Sequence, residues 1–200
     1  MTMPNQKQGT LDRRVVMAAL LKARGDSLIV TGLGSTCYDA GTADHPNTFY
    51  LWGGMGAAAM MGLGLALAQP TRRTVVITGD GEMLMALGAF ATIGAKSPKN
   101  LSIIVIDNEH YSETGMQPTH THRGVSLAAV AKACNFPRSE TVYSEPELAA
   151  EIPALFTGSN LMFCAVKVNT QRYPMSIRMR DGAHIKNRFR ENLLGQKAFD

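Results

Sequence analysis

The sequence predicts an α/β fold: a doubly wound, mainly parallel sheet with helices on both faces. Short apolar runs alternate with helical patterns along the chain, which is typical of successive βαβ units. Two of these runs, 74–78 and 101–106, are joined by a helical stretch, and such a crossover between parallel strands is right-handed. Both runs end in polar clusters, as strands do at the ligand-binding edge of an open α/β sheet.

The individual elements follow from hydrophobic periodicity and turn residues. The first helix is amphipathic, and the strand after it ends in a Gly-rich loop. The third helix is the most apolar and is rich in Gly and Ala, which indicates close packing against other protein. Helices are predicted at 11–23, 36–41, 55–68, 82–95, 127–134, 145–156 and 185–194. Strands are predicted at 27–31, 48–52, 74–78, 101–106, 139–142 and 161–168, with a long loop at 109–123.

Length and composition suit one domain. With 200 residues, 45% of them hydrophobic, the chain can bury a core, and we expect a single domain over 1–200 with a basic extension at 170–200. The chain has no apolar run of membrane length and no signal-peptide pattern, and its three cysteines are too scattered for a disulfide framework. We therefore expect a cytoplasmic protein without a membrane partner. The basic extension has few aromatics, which favours a solvated or partner-facing surface over nucleic acid.

The two polar clusters predict a metal-bridged diphosphate site. Gly79-Asp80-Gly81 ends one strand and Asp107-Asn108 ends the next, so both lie at the same edge of the sheet. The Asp80 carboxylate and the Asn108 amide oxygen are hard donors that suit Mg²⁺ or Ca²⁺. The glycines allow a tight turn, and the helix that follows directs free N–H groups at an anion. The alternative is an ordinary turn in which Asp80 caps the helix.

Two further Gly-rich segments are candidates for contacting the same ligand. The loop at 31–36 offers two hydroxyls for a diphosphate, although such loops are also common turns. The segment 51–59 bends at glycines before a helix of small residues. Its part 54–59 also fits a relaxed dinucleotide fingerprint, with Asp80 as the acidic partner of a nicotinamide or flavin site. That alternative leaves Asn108 without a role.

The motif Gly79-Asp80-Gly81, followed by Asn108 at 28 positions after Asp80, resembles the diphosphate-binding motif of thiamine diphosphate enzymes. The resemblance extends along nearly the whole chain and implies the diphosphate-binding domain of that family. It implies that Asp80, Asn108 and the backbone carbonyl of His110 hold Mg²⁺. This chain has Asp107 where the family usually has a second Asn, beside the ligand position rather than at it.

The same resemblance implies a set of contacts to thiamine diphosphate. The carbonyl of Gly53 would accept from the aminopyrimidine, and Met55 would force the cofactor into a V shape, for which an unbranched thioether is a suitable wedge. The cofactor-binding residues implied in this way are Gly32, Gly34, Ser35, Thr36, Gly53, Gly54, Met55, Gly79, Asp80, Gly81, Glu82, Asn108, His110 and Tyr111.

The family also needs a second domain, which this sequence lacks. A Glu from a pyrimidine-binding domain, usually on another chain, activates the cofactor in thiamine diphosphate enzymes. The resemblance therefore implies a pyrimidine-binding (alpha) subunit of similar size as partner, in a hetero-oligomer with at least two copies of each. This chain alone should be inactive and should expose an apolar face that its partner covers.

The loop at 113–121 resembles the corresponding segment of the decarboxylases that act on sulfopyruvate and phosphonopyruvate, with Met116 in place of a Gly. The resemblance implies non-oxidative decarboxylation of a 2-oxo acid with an anionic head group. The alternatives are carboligation, as in acetolactate synthase, and a subunit that binds cofactor without catalysis.

Candidates for handling the substrate come from the same loop and from the basic tail. The loop offers polar donors for an anionic head group, and from it we take His110, Gln117 and His120 as candidate catalytic residues, with Thr114, Thr119 and His122 as further donors. A transition-metal site at His120 and His122 is a less favoured alternative. The tail contributes three candidate contacts to a sulfonate, namely Arg172, Arg178 and Arg180.

Overall fold

The computed structural model describes residues 9–175 and 180–198, so Arg178 lies outside the described residues. The helices are α1 (Arg13–Lys22), α2 (Ser35–Ala40), α3 (Ala58–Ala68), α4 (Asp80–Met85), α5 (Ala89–Lys96), α6 (Leu127–Ala133), α7 (Glu145–Thr157) and α8 (Gly182–Leu194). The strands are β1 (Leu28–Thr31), β2 (Thr48–Tyr50), β3 (Thr74–Gly79), β4 (Leu101–Asp107), β5 (His110–Tyr111), β6 (Gln117–Pro118), β7 (Arg138–Val142) and β8 (Met162–Lys167).

Six of the strands form one parallel sheet in the order β2-β1-β3-β4-β8-β7. The chain runs from β1 out to the edge strand β2 and then crosses back to β3 on the other side of β1. The winding direction therefore reverses beside β1 and β3, and open α/β sheets bind ligands at such a switch point. The central strand β4 is buried along its whole length, as expected for a parallel strand covered on both faces.

Separate hydrophobic clusters cover the two faces of the sheet. One contains buried residues of α1, α2, α7 and α8. The other contains buried residues of α3, α4, α5 and α6. Successive residues of the central strands alternate between these clusters, because side chains of a strand point to opposite faces. The predicted doubly wound fold with helices on both faces is thus confirmed.

The clearest differences from the sequence prediction concern three segments. The helix predicted at 82–95 is two helices, because Ala86 leaves the helical conformation and α5 begins after its N-cap, Gly88. The helix predicted from residue 55 begins at Ala58, since Gly56 has a left-handed φ of 87°. The loop predicted at 109–123 contains the antiparallel hairpin of β5 and β6.

Helix α3 is apolar on every side but is buried on only one. Its inner side packs closely on β3, where a Cβ on Gly62 would overlap the Val76 side chain. Its outer side exposes Met60, Met61, Gly64 and Leu67, which we call the α3 face. An apolar helix face left open to solvent is typical of a surface that another protein covers.

The basic tail returns to the sheet. Ile185 of α8 is buried in the core, and Phe189 packs edge-to-face on Phe49 of β2 with ring centroids 5.7 Å apart. Arg188 donates to the Asp44 carboxylate at 2.7 Å. Helix α8 therefore covers the edge strand rather than forming a solvated extension.

Within the described part of the chain, no helix combines the length and apolarity needed to cross a membrane.

Candidate functional site

A pocket opens at the carboxyl ends of β1, β3 and β4, beside the switch point. Its walls come from the β1–α2 loop, the turn before α3, the start of α4 and the hairpin after β4. The lining residues are Arg13, Leu33, Gly34, Ser35, Thr36, Met55, Gly79, Asp80, Gly81, Glu82, Ile106, Asn108, His110, Tyr111, Ser112, Glu113 and Thr114. The topology thus gathers segments that lie up to about a hundred positions apart in the sequence into one concave site.

Asp80 lies at the base of this pocket and is 2% exposed. Its Oδ2 accepts a hydrogen bond from the Thr119 hydroxyl at 2.6 Å and lies 3.3 Å from the Thr121 hydroxyl oxygen, which donates its hydrogen to Asp107 at 2.8 Å. Both hydroxyls therefore contact the same carboxylate oxygen of Asp80. Burial, and secondly the Asp107 carboxylate, raise the pKa of Asp80 from its ordinary 3.8 to about 7.

Asp107 belongs to a buried polar network next to Asp80. Its Oδ1 accepts from the Thr121 hydroxyl at 2.8 Å, and its Oδ2 lies 2.8 Å from the Lys167 ammonium. Lys167 also donates to Glu109 at 2.7 Å. Burial lowers the pKa of Lys167, but the carboxylates of Asp107 and Glu109 outweigh this effect and raise it overall. The lysine therefore remains charged and compensates the buried carboxylates.

Asn108 and His110 form the opposite wall. The Asn108 side chain accepts from the backbone N–H of His110 at 3.0 Å and donates to the Ser112 hydroxyl at 2.8 Å. An amide oxygen has two lone pairs, so one is still available for a cation. Nδ1 of His110 lies 2.9 Å from the Asn108 carbonyl oxygen. Because a carbonyl only accepts, this contact assigns the hydrogen to Nδ1 and leaves Nε2 of the neutral ring as the acceptor.

The His110 carbonyl is also available. The N–H of Thr119 donates to the Glu109 carbonyl at 2.8 Å, so His110 faces Pro118 as a non-hydrogen-bonded pair of the hairpin. In such a pair the carbonyl points away from the neighbouring strand. Asp80, Asn108 and the His110 carbonyl together supply only oxygen donors, the ligand type that Mg²⁺ prefers. In the described residues no cluster of three His, Cys, Asp or Glu could hold a metal, so the alternative site at His120 and His122 has no support.

Glu82 lines the pocket, but its carboxylate accepts hydrogen bonds from backbone groups of the protein. Its two carboxylate oxygens accept from the backbone N–H groups of Leu33 at 2.7 Å and Ala58 at 3.4 Å. It thereby ties the β1–α2 loop and the start of α3 to α4. The Cβ position of Gly32 is filled by the Glu82 side chain. Glycine at position 32 is therefore explained by this packing rather than by contact with a ligand.

The space around the glycines beside Asp80 indicates whether the pocket has room for a bound ligand. Gly79 has an ordinary extended conformation, and in the described part of the chain no heavy atom lies within 4 Å of the position that a Cβ on Gly79 would take. Neither backbone strain nor packing of the protein therefore explains glycine at this pocket-lining position. The open space at this position is compatible with a ligand that occupies it. Together with the buried carboxylate and the oxygen donors, this space fits a diphosphate held through Mg²⁺.

The pocket brings together most, but not all, of the predicted site residues. Eleven of them line it: Gly34, Ser35, Thr36, Met55, Gly79, Asp80, Gly81, Glu82, Asn108, His110 and Tyr111. The predicted cofactor residues Gly32, Gly53 and Gly54 and the predicted catalytic residues Gln117 and His120 are not among the lining residues. Gln117 exchanges hydrogen bonds with Thr114, which does line the pocket.

Sequence reasoning missed several residues at the site. Arg13 of α1 lines the pocket, where it is held by the Asp39 carboxylate at 2.6 Å. Thr121 and Lys167 contact the carboxylates at the base of the site. A lysine at the last position of a buried strand was the one available signal, because a buried ammonium needs a carboxylate partner. Of the tail arginines in the described residues, Arg172 and Arg180 are exposed and do not line the pocket.

The geometry excludes the dinucleotide alternative. In that arrangement, the acidic residue ends the strand next to the one that carries the glycines. Here the fingerprint at 54–59 follows β2, while Asp80 follows β3, and β1 lies between these two strands. The acidic partner is therefore on the wrong strand.

Sequence comparison assigns the class of protein. Residues 33–166 match the family described as thiamine pyrophosphate enzyme, C-terminal TPP binding domain. This match covers more than half of the 200 residues, so the chain belongs to that family. The resemblance inferred from the motif at Gly79-Asp80-Gly81 is therefore confirmed.

Two relatives indicate which enzymes within this family the chain is similar to in sequence. The chain is 46% identical over 91 residues to the sulfopyruvate decarboxylase subunit beta of Methanocaldococcus jannaschii, covering 46% of this chain and 48% of that protein. It is 40% identical over 145 residues to the phosphonopyruvate decarboxylase of Streptomyces viridochromogenes, covering 71% of this chain and 36% of that protein. These matches span about half and about a third of the relatives' own lengths.

A solved structure agrees with the fold. Benzoylformate decarboxylase from Polynucleobacter necessarius aligns with a TM-score of 0.67 at 20% identity, covering 88% of this chain and 36% of that chain. At this identity the likeness supports the fold alone.

Proposed function

We propose that this chain is the diphosphate-binding subunit of a thiamine diphosphate- and Mg²⁺-dependent decarboxylase of a 2-oxo acid. The observation that carries the proposal is the pocket in which Asp80 and Asn108 meet beside the open space at Gly79. In a family member, this pocket at the switch point of the sheet is the favoured cofactor site. The names of its relatives favour decarboxylation over carboligation.

The chain's own residues have distinct roles in this proposal. Asp80, Asn108 and the His110 carbonyl hold Mg²⁺, and the loop from Gly34 to Thr36 contacts the diphosphate with hydroxyls and backbone N–H groups. Met55 supports the bound cofactor from the turn before α3. When bound, thiamine diphosphate supplies the nucleophilic carbon and the electron sink that decarboxylation needs.

His110 is the favoured residue for proton handling. It lines the pocket, and its hydrogen bond to the Asn108 carbonyl leaves Nε2 free to exchange a proton. Gln117 supports the hairpin through Thr114, while His120 is exposed and lies outside the pocket lining. A catalytic role for Gln117 or His120 therefore requires that substrate binding moves the hairpin.

The proposed substrate is a 2-oxo acid with a sulfonate or phosphonate head group. The names of the relatives support this class. Ser112 and Thr114 bring two hydroxyls to the pocket lining, and Arg13 brings a guanidinium. Because Asp39 already compensates Arg13, the head group would rely on hydrogen bonds as much as on charge.

A pyrimidine-binding partner subunit completes the proposed site. The α3 face is apolar and exposed, and it continues toward the pocket through Met85, whose side chain lies beside Gly56. A partner that covers this surface would also reach the cofactor at Met55. We propose that this partner supplies the activating Glu and that the assembly contains at least two copies of each subunit.

A thermal-shift titration tests the function. The chain is purified with and without its co-expressed partner and titrated with thiamine diphosphate, with and without Mg²⁺. A rise in melting temperature that needs both, and is largest with the partner, is expected because a ligand of the folded state stabilises it. Release of CO₂ from sulfopyruvate, phosphonopyruvate and pyruvate then tests the substrate class.

Two controls make the result decisive. Asn108→Ala should abolish the Mg²⁺-dependent shift, and His110→Ala should retain it while lowering CO₂ release. The proposal fails if the wild-type assembly shows no shift with thiamine diphosphate and Mg²⁺, or if Asn108→Ala shifts as much as the wild type.

A further inference from the structure

The hairpin after β4 places two threonine hydroxyls between the ends of β3 and β4. Thr119 and Thr121 are both 1% exposed, and their hydroxyl oxygens lie 2.9 Å apart. Thr121 is the hydroxyl that contacts both buried carboxylates, Asp107 at 2.8 Å and Asp80 at 3.3 Å. The bond between Thr119 and Asp80, at 2.6 Å, is the shorter of the two hydroxyl contacts to Asp80.

We propose that Thr121, anchored by the Asp107–Lys167 ion pair, positions Asp80 together with Thr119 so that its carboxylate binds Mg²⁺ through one oxygen in a fixed direction. This inference rests on the proposed function and identifies positioning residues for that site. Both hydroxyls contact Oδ2 of the Asp80 carboxylate. The carboxylate therefore cannot rotate freely, and Oδ1 remains the oxygen outside these contacts.

Asp107, which accepts from Thr121 and pairs with Lys167, holds the Thr121 hydroxyl in place. Asp107 is held by the Thr121 hydroxyl, by the backbone N–H of Glu109 at 3.0 Å and by Lys167 at 2.8 Å. Asp107 directly precedes Asn108, so the same residue that anchors Thr121 also ends the strand that carries the second proposed ligand. One buried network thereby sets the direction of Asp80 relative to Asn108.

The choice of cation follows from this rigidity. Mg²⁺ requires a nearly ideal octahedron with short bonds, whereas Ca²⁺ accepts longer bonds and irregular geometry. A carboxylate held in one direction favours the stricter ion. If the hydroxyls are removed, Asp80 gains rotational freedom, and the site should lose more affinity for Mg²⁺ than for Ca²⁺.

The test uses the full chain purified with its partner subunit. Cofactor binding is followed by calorimetry at fixed thiamine diphosphate while Mg²⁺ or Ca²⁺ is varied. Thr121→Val should raise the half-saturating Mg²⁺ concentration about tenfold but the Ca²⁺ value less than about threefold. Thr121→Ser, which restores the hydroxyl, should stay within about twofold of the wild type for both ions.

Thr74→Val is the matched control. Thr74 is also buried, but its hydroxyl has no hydrogen-bond partner among the described residues, so the substitution removes a buried threonine without touching the network. Its cation dependence should equal that of the wild type. Equal losses for Mg²⁺ and Ca²⁺ in Thr121→Val, or no rescue by serine, would overturn the positioning role. If the wild-type assembly binds no cofactor with either ion, the proposed function itself fails.

Discussion

Gly79 and Gly81 flank the same aspartate but lack a side chain for different reasons. The Cβ position of Gly79 faces open space, whereas a Cβ on Gly81 would overlap the ring of Tyr111. The first glycine therefore leaves room for a ligand, and the second leaves room for the protein. In the proposed site, Gly79 therefore serves ligand binding and Gly81 serves packing of the protein.

Substitution of these glycines by alanine should give opposite results. Gly79→Ala should leave the cofactor-free chain as stable as the wild type, or more stable by about 0.5 kcal/mol, because alanine restricts the unfolded chain. It should weaken thiamine diphosphate binding at least about tenfold, since the methyl group enters the ligand space. Gly81→Ala should destabilise the cofactor-free chain by about 1–3 kcal/mol through overpacking. Urea unfolding and calorimetry measure both effects.

Burial of the Asp80 carboxylate lowers the stability of the folded chain when this carboxylate is ionised. Its pKa of about 7 in the folded chain exceeds the ordinary 3.8, so the folded state binds this proton more tightly than the unfolded state. The contribution of Asp80 therefore lowers the free energy of unfolding as pH rises from about 4 to about 7. A cation at the site would offset this cost, because it favours the ionised carboxylate.

Asp80→Asn should accordingly stabilise the cofactor-free chain at pH 8 by an amount on the order of 2 kcal/mol, since the amide stays neutral. The gain should shrink toward zero near pH 4. The same variant should lose the Mg²⁺-dependent thermal shift. Urea unfolding at both pH values provides the measurement, and a variant less stable than the wild type at pH 8 would contradict the argument.

At the scale of the elements, α3 departs most clearly from the pattern of a surface helix. A surface helix normally turns polar residues outward, but the outward residues of α3 are methionine, glycine and leucine. Leu67 is 51% exposed and lies at the end of the helix away from the pocket. It can therefore be changed without contact with the cofactor site.

Leu67→Glu should prevent assembly with the partner while leaving the chain folded. A charge buried in an apolar interface has no compensation there, so association should weaken at least about a hundredfold. The unassembled chain should keep its melting temperature and become more soluble. Analytical ultracentrifugation measures assembly, with Val15→Glu as control because Val15 is 53% exposed on α1, a helix on the other face of the sheet. Assembly equal to the wild type would show that the α3 face is not the interface.

At the scale of the whole molecule, the switch point between β1 and β3 brings the site together. Four segments that are distant in the sequence meet at the same edge of the sheet. Helix α8 packs on the edge strand β2. The chain therefore presents a pocket at one edge and an apolar face beside it. Both features agree with the proposal that another chain completes the active site.

The sequence by itself determined the fold class and the family, and it predicted the metal site. Continuous apolar runs reveal buried parallel strands, and Gly79-Asp80-Gly81 with Asn108 marks the ends of two of them, because these signals are local. The break between α4 and α5 escaped prediction, since a single glycine in a helical pattern is usually tolerated.

Only the tertiary structure decided which side chains meet at the site. Thr121 is 41 positions from Asp80, and Lys167 is 58 positions from Glu109, so no local pattern links them. The structure likewise showed that Glu82 binds two backbone segments and that Gly79, but not Gly32, leaves space for a ligand. These distinctions depend on which buried groups satisfy one another's hydrogen bonds and charges, and such pairing is set by packing rather than by sequence spacing.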